Sequence, residues 1–157
     1  MDWAIQKASE LGVNMIIPVI TERTVARPKA ERARHQRDRW QKIAKEASQQ
    51  CGRMDFSDVN PMVTLDDLLK NPPDASLKIV PWEQEQARSL KETLHNLKEE
   101  KSIAILIGPE GGFSPLEIEK TREAGWVPVS LGPRILRAET AAIAVLAVLE
   151  YERTEAR

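Results

Sequence analysis

The last third of the chain strongly constrains the fold, because it alternates apolar strands with capped helices. Residues 103–107 read Ile-Ala-Ile-Leu-Ile, a continuous apolar run that is typical of a strand buried on both faces of a parallel sheet. Ser114 then caps a helix, with a proline at the first position and Glu117 completing a capping box. Residues 127–131 predict the next strand, and residues 138–152 predict an apolar helix that is buried or faces a partner chain. The pattern predicts an α/β fold with a mainly parallel sheet and helices on both faces.

Upstream patterns extend this alternation. At 157 residues the chain is long enough to bury its own core, and we expect one domain over residues 1–157. Apolar periodicity, caps and turn residues place the remaining elements. Helices are predicted at residues 2–11, 30–50, 65–70 and 85–97, and strands at residues 15–20, 59–63 and 77–80.

Composition excludes several classes of protein. The single cysteine, Cys51, rules out an internal disulfide framework, and with only two histidines we expect no zinc or other metal site. No apolar run approaches the roughly 20 residues of a membrane span, and no secretory signal is visible at the first residues. We therefore expect a cytoplasmic protein without membrane contact.

Charge is distributed unevenly, although the formal net charge is only -1. Residues 23–53 hold ten Lys or Arg and three Asp or Glu, a net charge of +7, which leaves -8 for the remainder. A basic segment of this kind suggests a surface that faces a polyanion such as nucleic acid. A long solvated helix that carries arginines for solubility is the alternative.

Residues 108–114, Gly-Pro-Glu-Gly-Gly-Phe-Ser, form the first candidate binding loop. They lie between a predicted strand and a predicted helix, where parallel sheets bind ligands. Three glycines allow the backbone to approach a ligand closely, although a tight turn with caps is the simpler interpretation. The loop lacks the lysine of a Walker motif, the spacing of a dinucleotide fingerprint and the serine of a nucleophile elbow.

Residues 131–141, Leu-Gly-Pro-Arg-Ile-Leu-Arg-Ala-Glu-Thr-Ala, form the second candidate loop. Arginines beside an apolar helix suit the recognition of a phosphate or an anionic transition state. Alternatively, Arg134 and Arg137 form a structural network with Glu110 and Glu139. The residues alone do not decide between these interpretations.

Together, the two loops resemble one known family. The sequence Ile-Gly-Pro-Glu-Gly-Gly-Phe-Ser at residues 107–114, followed by residues 131–141, resembles the RsmE family of bacterial 16S ribosomal RNA uridine-N3 methyltransferases, in the SPOUT superfamily. Residues 6–13, 21–24 and 50–53 add weaker support. The resemblance covers about residues 2–150.

The resemblance implies a fold, a cofactor and an assembly. It implies a deep trefoil knot near the C-terminus, bound S-adenosylmethionine and a homodimer. The chain resembles the catalytic domain alone, so the N-terminal PUA-like RNA-binding domain of the family is expected to be absent. By resemblance, the cofactor pocket is formed by Pro81, Trp82, Ile107, Gly108, Gly111, Gly112, Leu131, Gly132, Ile135, Leu136, Thr140 and Ala141.

The resemblance also implies a reaction at uracil N3 in 16S ribosomal RNA of the small ribosomal subunit. Arg137 is expected to stabilise the uracil anion, and Glu110 or Glu139 to accept the proton, with capping or pairing as the alternative for both acids. The expected RNA contacts are Arg23, Arg27, Arg53 and Arg134.

Two other functions fit the same residues. One is a non-catalytic RNA-binding or ribosome-assembly module, which would not need the glycine loop. The other is a knotted methyltransferase that acts on another RNA position. Trp82 and Trp126 are candidates either for stacking on a base or for core and rim positions.

Overall fold

The computed structural model describes residues 1–25, 28–95 and 102–153. It confirms the predicted α/β fold, in which helices alternate with short parallel strands. The helices are α1 (Asp2–Glu10), α2 (Ala30–Gln50), α3 (Leu65–Lys70), α4 (Leu90–His95), α5 (Pro115–Glu123) and α6 (Ala138–Arg153). The strands are β1 (Met15–Ile16), β2 (Val19–Ile20), β3 (Asp58–Val59), β4 (Val63–Thr64), β5 (Leu77–Pro81), β6 (Ile103–Ile105) and β7 (Val127–Val129).

The chain forms two compact units, and each is built from separated stretches. Unit 1 comprises Met1–Val19, Ala26–Val63 and Glu139–Arg157. Unit 2 comprises Ile20–Val25 and Thr64–Ala138. The chain therefore passes between the units four times. The single domain and the knot expected from the sequence stay predictions.

In unit 1, α1 packs on α2, and α2 packs on β3. The buried apolar cluster is formed by Ile5, Trp40, Ala44 and Val59, one from α1, two from α2 and one from β3. The indole N–H of Trp40 donates to Oδ1 of Asp2 at 3.0 Å, so the ring fills the core while its polar atom has a partner at the first residue of α1. Burial and hydrogen bonding thus fix the two helices against each other.

In unit 2, β5 is the central strand of a three-stranded parallel sheet with the order β6-β5-β7. Its residues Ile79 and Val80 are fully buried. The residues of β6 are only half-buried, so the prediction of a strand buried on both faces is wrong for residues 103–105. Strand β6 lies at an edge of this sheet, and an apolar sequence does not determine the order of strands.

Prolines divide two predicted strands. The strand predicted at residues 15–20 is split into β1 and β2 before Pro18, and the one at residues 59–63 into β3 and β4 around Pro61. Proline has no N–H to donate to a ladder, which ends regular pairing there. The carbonyl of Pro18 still accepts from the N–H of Val63 at 3.0 Å.

The helix predicted to begin at Glu85 begins instead at Leu90. Ser89 and Glu92 form a capping box: each side chain accepts the other's backbone N–H, at 3.0 and 3.1 Å. The Glu85 carboxylate accepts from two following backbone N–H groups, which holds a turn in place of helix. The predicted end at residue 97 lies outside the described residues.

Candidate functional site

Three loops follow the carboxyl ends of the unit 2 strands, which all lie along one edge of the sheet. The strands are parallel, with Ile79 opposite Ile105 and Pro81 opposite Val129. The chain therefore leaves β5 at Trp82, β6 at Leu106 and β7 at Ser130 along one edge. This is the edge at which open parallel sheets bind ligands. The structure thus brings together the candidate residues at positions 81–82, 107–112 and 131–136.

The glycine loop, residues 108–114, has a conformation that side chains would obstruct. The N–H of Gly112 donates to the carbonyl of Pro109 at 2.9 Å, which closes a turn. Gly112 has a φ of 67°, and a Cβ added there would lie 3.0 Å from Oε1 of Glu83. A Cβ on Gly108 would lie 3.0 Å from the Phe113 ring. The glycines are therefore required by the shape of the loop and not only by a turn.

The predicted capping box connects this loop to α5. The Ser114 hydroxyl accepts the N–H of Glu117 at 3.3 Å, and Glu117 Oε2 accepts the N–H of Ser114 at 2.9 Å. Glu117 is 7% exposed, and its Oε1 also accepts the N–H of Glu22 at 2.8 Å. One buried carboxylate therefore holds both the helix N-terminus and a distant turn of the chain.

Arg23, predicted to contact RNA, contacts the glycine loop. Its Nη1 donates to the carbonyl of Gly111 at 2.7 Å, and a Cβ on Gly111 would lie 3.3 Å from the Arg23 Cβ. This contact, the close approach of Glu83 to Gly112 and the hydrogen bond from Glu22 to Glu117 were not predicted from the sequence. No local signal indicates them, because the contacting residues lie far apart in the sequence.

Trp82 lies half-buried where β5 ends, and its backbone N–H donates to the carbonyl of Val129 at 3.0 Å. The Arg122 guanidinium lies 5.4 Å from the centre of the Trp82 ring, within the range of a cation–π interaction. Within the described ranges, the buried indole N–H of Trp82 has no hydrogen-bond partner. Trp126 is 3% exposed and therefore a core residue, not a platform for base stacking.

The Glu85 carboxylate stabilises the segment that follows β5 through hydrogen bonds and an ion pair. The pKa of Glu85 is held below its usual value of 4.5, mainly because its carboxylate accepts the backbone N–H of Ala87. Burial acts in the opposite direction and raises the pKa. The N–H of Arg88 and the Arg122 guanidinium, which pairs with the carboxylate at 3.2 Å, lower the pKa further. The Glu85 side chain is only 11% exposed. Its charged form is therefore stabilised by the fold.

We expect Glu85→Gln to lower the free energy of unfolding at neutral pH by about 1–2 kcal/mol, since charged hydrogen bonds are replaced by neutral ones. A carboxyl with a lowered pKa contributes stability above its unfolded pKa, and this contribution is lost as the pH falls through the folded pKa. Urea titrations between pH 7 and pH 3 should show the difference between the proteins shrinking below about pH 4.5. A constant difference across this range would contradict the assignment.

The second loop leaves β7 with its arginines exposed. The N–H of Gly132 donates to Oγ of Ser130 at 3.2 Å. Leu131 and Leu136 are half-buried, and Ile135 is 84% exposed. Arg134, Arg137 and Glu110 are likewise exposed, and in the part of the chain that the structure describes neither arginine pairs with Glu110. Within the described residues, neither arginine is therefore held by Glu110 as the network interpretation requires, and both side chains are accessible to a ligand.

The remaining predicted site residues belong to unit 1 or lie outside the described residues. Glu139, Thr140 and Ala141 lie in the first turn of α6 and belong to unit 1. Arg27 lies outside the described residues. Their predicted roles, like the other residue roles, stay predictions.

Arg53 is occupied within unit 1. Its Nη1 donates to the carbonyls of Ser9 and Val13 at 2.8 and 3.0 Å, and its Nη2 pairs with Asp55 at 2.9 Å. The side chain is 14% exposed. These bonds organise the loop after α2, so a contact of Arg53 with RNA would use only what remains of its guanidinium.

The loops at the sheet edge fit a small polar cofactor. Glycines leave backbone atoms uncovered in the first loop, and the Trp82 indole offers a buried N–H without a partner in the described residues. Across residues 1–25, 28–95 and 102–153, no three His, Cys, Asp or Glu side chains cluster as metal ligands would. None of the described helices combines the length and apolarity that a membrane crossing needs.

Comparison with known proteins places this site in a family. The sequence profile described as RNA methyltransferase domain matches residues 1–150. The chain is 35% identical over 156 residues to Ribosomal RNA small subunit methyltransferase E of Bacillus subtilis (strain 168), covering 97% of this chain and 61% of that protein. It is 36% identical over 162 residues to the protein of the same name from Buchnera aphidicola subsp. Schizaphis graminum, covering 97% of this chain and 60% of that protein.

A solved structure agrees in fold. Ribosomal RNA small subunit methyltransferase E from Neisseria gonorrhoeae, bound to S-adenosyl methionine, superposes with a TM-score of 0.84 at 34% identity. The match covers 96% of this chain and 60% of that one. The chain thus spans about three fifths of the length of these relatives. The resemblance to the RsmE family is confirmed, and the chain belongs to the family of RNA methyltransferase domains.

Proposed function

We propose that the chain transfers a methyl group from S-adenosylmethionine to N3 of a uridine in 16S ribosomal RNA of the small ribosomal subunit. The observation that carries the proposal is the glycine loop at the shared edge of three parallel strands, where Gly112 adopts a positive φ against Glu83. The names of the relatives and the cofactor bound in the Neisseria gonorrhoeae structure support it.

Residues of unit 2 are proposed both to bind the cofactor and to promote methyl transfer. S-adenosylmethionine supplies an activated methyl group, so the protein needs no metal for activation. The backbone of the two loops, at Gly108, Gly111, Leu131, Gly132 and Leu136, would hold the cofactor. Pro81 and Trp82 would close one wall.

The acceptor sets a second requirement. Uracil N3 is an imide nitrogen and a poor nucleophile while protonated, so the site must favour its deprotonated form. Arg137 is exposed on the second loop and would stabilise negative charge on the uracil oxygens. Glu110, exposed on the first loop, is the candidate in unit 2 to accept the proton.

RNA would also meet a basic surface in unit 1. Helix α2 carries exposed cations along its length, which can attract phosphates. They are Arg32, Arg34, Arg39, Lys42 and Lys45. Arg39 pairs with Asp2, and Lys42 pairs with Glu46. Lys45 lies over the Phe56 ring, so Arg32 and Arg34 are the clearest phosphate contacts to propose. The target base must be unpaired or flipped out before its N3 is accessible.

The homodimer is proposed from apolar exposure in unit 1. Helix α6 buries Val145 and Leu149, yet Val148 and Tyr151 are 40% and 80% exposed. Trp3 on α1 is 52% exposed. Apolar surface of this kind suits a second copy of the chain.

Calorimetric titration with S-adenosylmethionine is the first test, followed by methyl transfer to small ribosomal subunits that lack the modification. We expect saturable binding, 3-methyluridine as the product, and a dimer by sedimentation. A folded chain that binds no cofactor would contradict the proposal of an enzyme and favour an RNA-binding module. A different methylated nucleoside would move the activity to another RNA position.

A further inference from the structure

Arg23 lies in a turn that is docked on the glycine loop. The N–H of Thr21 donates to Oγ1 of Thr24 at 2.9 Å, and the N–H of Thr24 donates back to the Thr21 carbonyl at 3.3 Å. Thr21 is 5% exposed, so the turn is anchored in unit 2. Its shape is therefore set before any ligand binds.

Two hydrogen bonds join this turn to α5 and to the glycine loop. Glu117, buried beneath the start of α5, accepts the N–H of Glu22 at 2.8 Å. Arg23 donates to the carbonyl of Gly111 at 2.7 Å. The first bond holds the turn beside the helix N-terminus, and the second reaches the middle of the loop. The loop is thus held at its helical end by Ser114 and at its centre by Arg23.

The contact leaves little room for a side chain at Gly111. A Cβ on Gly111 would lie 3.3 Å from Cβ and 3.4 Å from Cδ of Arg23, so the aliphatic part of the arginine packs against the loop backbone. The φ of Gly111 is not in the left-handed region, so an alanine there is limited by this contact and not by the backbone. Gly111 and Arg23 are therefore a coupled pair.

We infer that Arg23 is a positioning residue for the cofactor loop, in addition to any contact that it makes with RNA. The inference rests on the proposed function for its ligand, S-adenosylmethionine. A guanidinium carries five N–H donors, and the Gly111 carbonyl accepts one of them. The side chain is exposed, so its other donors can bind a phosphate at the same time. Arg23 would hold the loop in its binding conformation whether or not RNA is present.

Hydrogen exchange without any ligand tests the positioning directly. In Arg23→Ala, we expect faster amide exchange across residues 108–113 than in the wild type, with little change in the sheet. The control is Arg88→Ala, which removes another exposed arginine of unit 2 and should leave exchange in the loop unchanged. Unchanged exchange in Arg23→Ala would overturn the inference.

Cofactor affinity gives the second measurement. Calorimetry without RNA should show S-adenosylmethionine binding at least about tenfold weaker in Arg23→Ala, since a hydrogen bond to a charged group is lost. Arg23→Lys should recover part of the affinity, because an ammonium can also donate to the carbonyl. Gly111→Ala should weaken binding in the wild type and much less in the Arg23→Ala background.

The outcomes separate this inference from the proposed function. A wild-type chain that binds no S-adenosylmethionine would overturn the proposed function and the cofactor part of the inference. Normal binding by both wild type and Arg23→Ala, with only a raised KM for RNA, would overturn the inference alone. It would assign Arg23 to phosphate contact only.

Discussion

Gly112→Val is expected to reduce the affinity for S-adenosylmethionine by at least about 100-fold, since backbone strain at this position would change the shape of the cofactor loop. A valine resists the φ of 67° at this position, and its Cβ would lie 3.0 Å from Oε1 of Glu83. The exposed Glu83 side chain can turn away from the added Cβ, but the backbone strain is relieved only if the glycine loop, which belongs to the proposed pocket, changes its conformation. Calorimetric titration of the purified variant gives the affinity directly.

Gly125→Val is the matched control for backbone strain. Gly125 has a φ of 82°, yet a Cβ there would meet no atom within 4 Å, and the residue follows α5 away from the loops. We expect this variant to lose thermal stability to a similar degree while it keeps its cofactor affinity. Equal loss of affinity in both variants would show that general destabilisation, and not the shape of the loop, explains the result for Gly112.

Arg137→Ala is expected to lower kcat for methyl transfer by about 100- to 1000-fold, the usual cost of removing one charge-stabilising group from an active site. The cofactor Kd should change little, because the proposed pocket uses the backbone of this loop. Single-turnover methylation of the RNA measures the chemical step, and calorimetry measures binding. A much weaker cofactor affinity together with a normal single-turnover rate at saturating cofactor would contradict the proposed role.

Arg134→Ala provides the comparison within the same loop. Arg134 is also exposed, and it is proposed to contact a phosphate and not the reacting base. We expect a raised KM for RNA with an almost unchanged kcat, and a weaker dependence of KM on salt. Identical kinetic defects in the two variants would remove the distinction between them.

Local interactions could be predicted well from the sequence. The capping box of Ser114 and Glu117 depends on residues three positions apart, and the structure contains both of its hydrogen bonds. The bounds predicted for α2 agree with the structure. The late start of α4 was also predictable in principle, since Ser89 and Glu92 have the capping-box spacing.

Long-range interactions could not be predicted in the same way. Arg23 and Gly111 are separated by 88 residues, and nothing in either segment specifies the other. The place of β5 at the centre of its sheet depends on which later strands pair with it. The family resemblance included residues 21–24 and assigned Arg23 to RNA, but it did not predict that this turn contacts the glycine loop. Geometry was needed to connect Arg23, Glu83 and Glu117 to the site.

The division of the chain into interleaved units has a consequence for synthesis on the ribosome. Unit 2 is complete in sequence once residue 138 has emerged, whereas unit 1 still awaits the stretch that begins at Glu139. Nascent chains generally fold as their segments emerge, and contacts between distant segments form late. Residues 1–19 and 26–63, although translated early, therefore cannot complete their unit until α6 leaves the exit tunnel. These residues, although translated before those of unit 2 that follow them, would be among the last to reach their final structure.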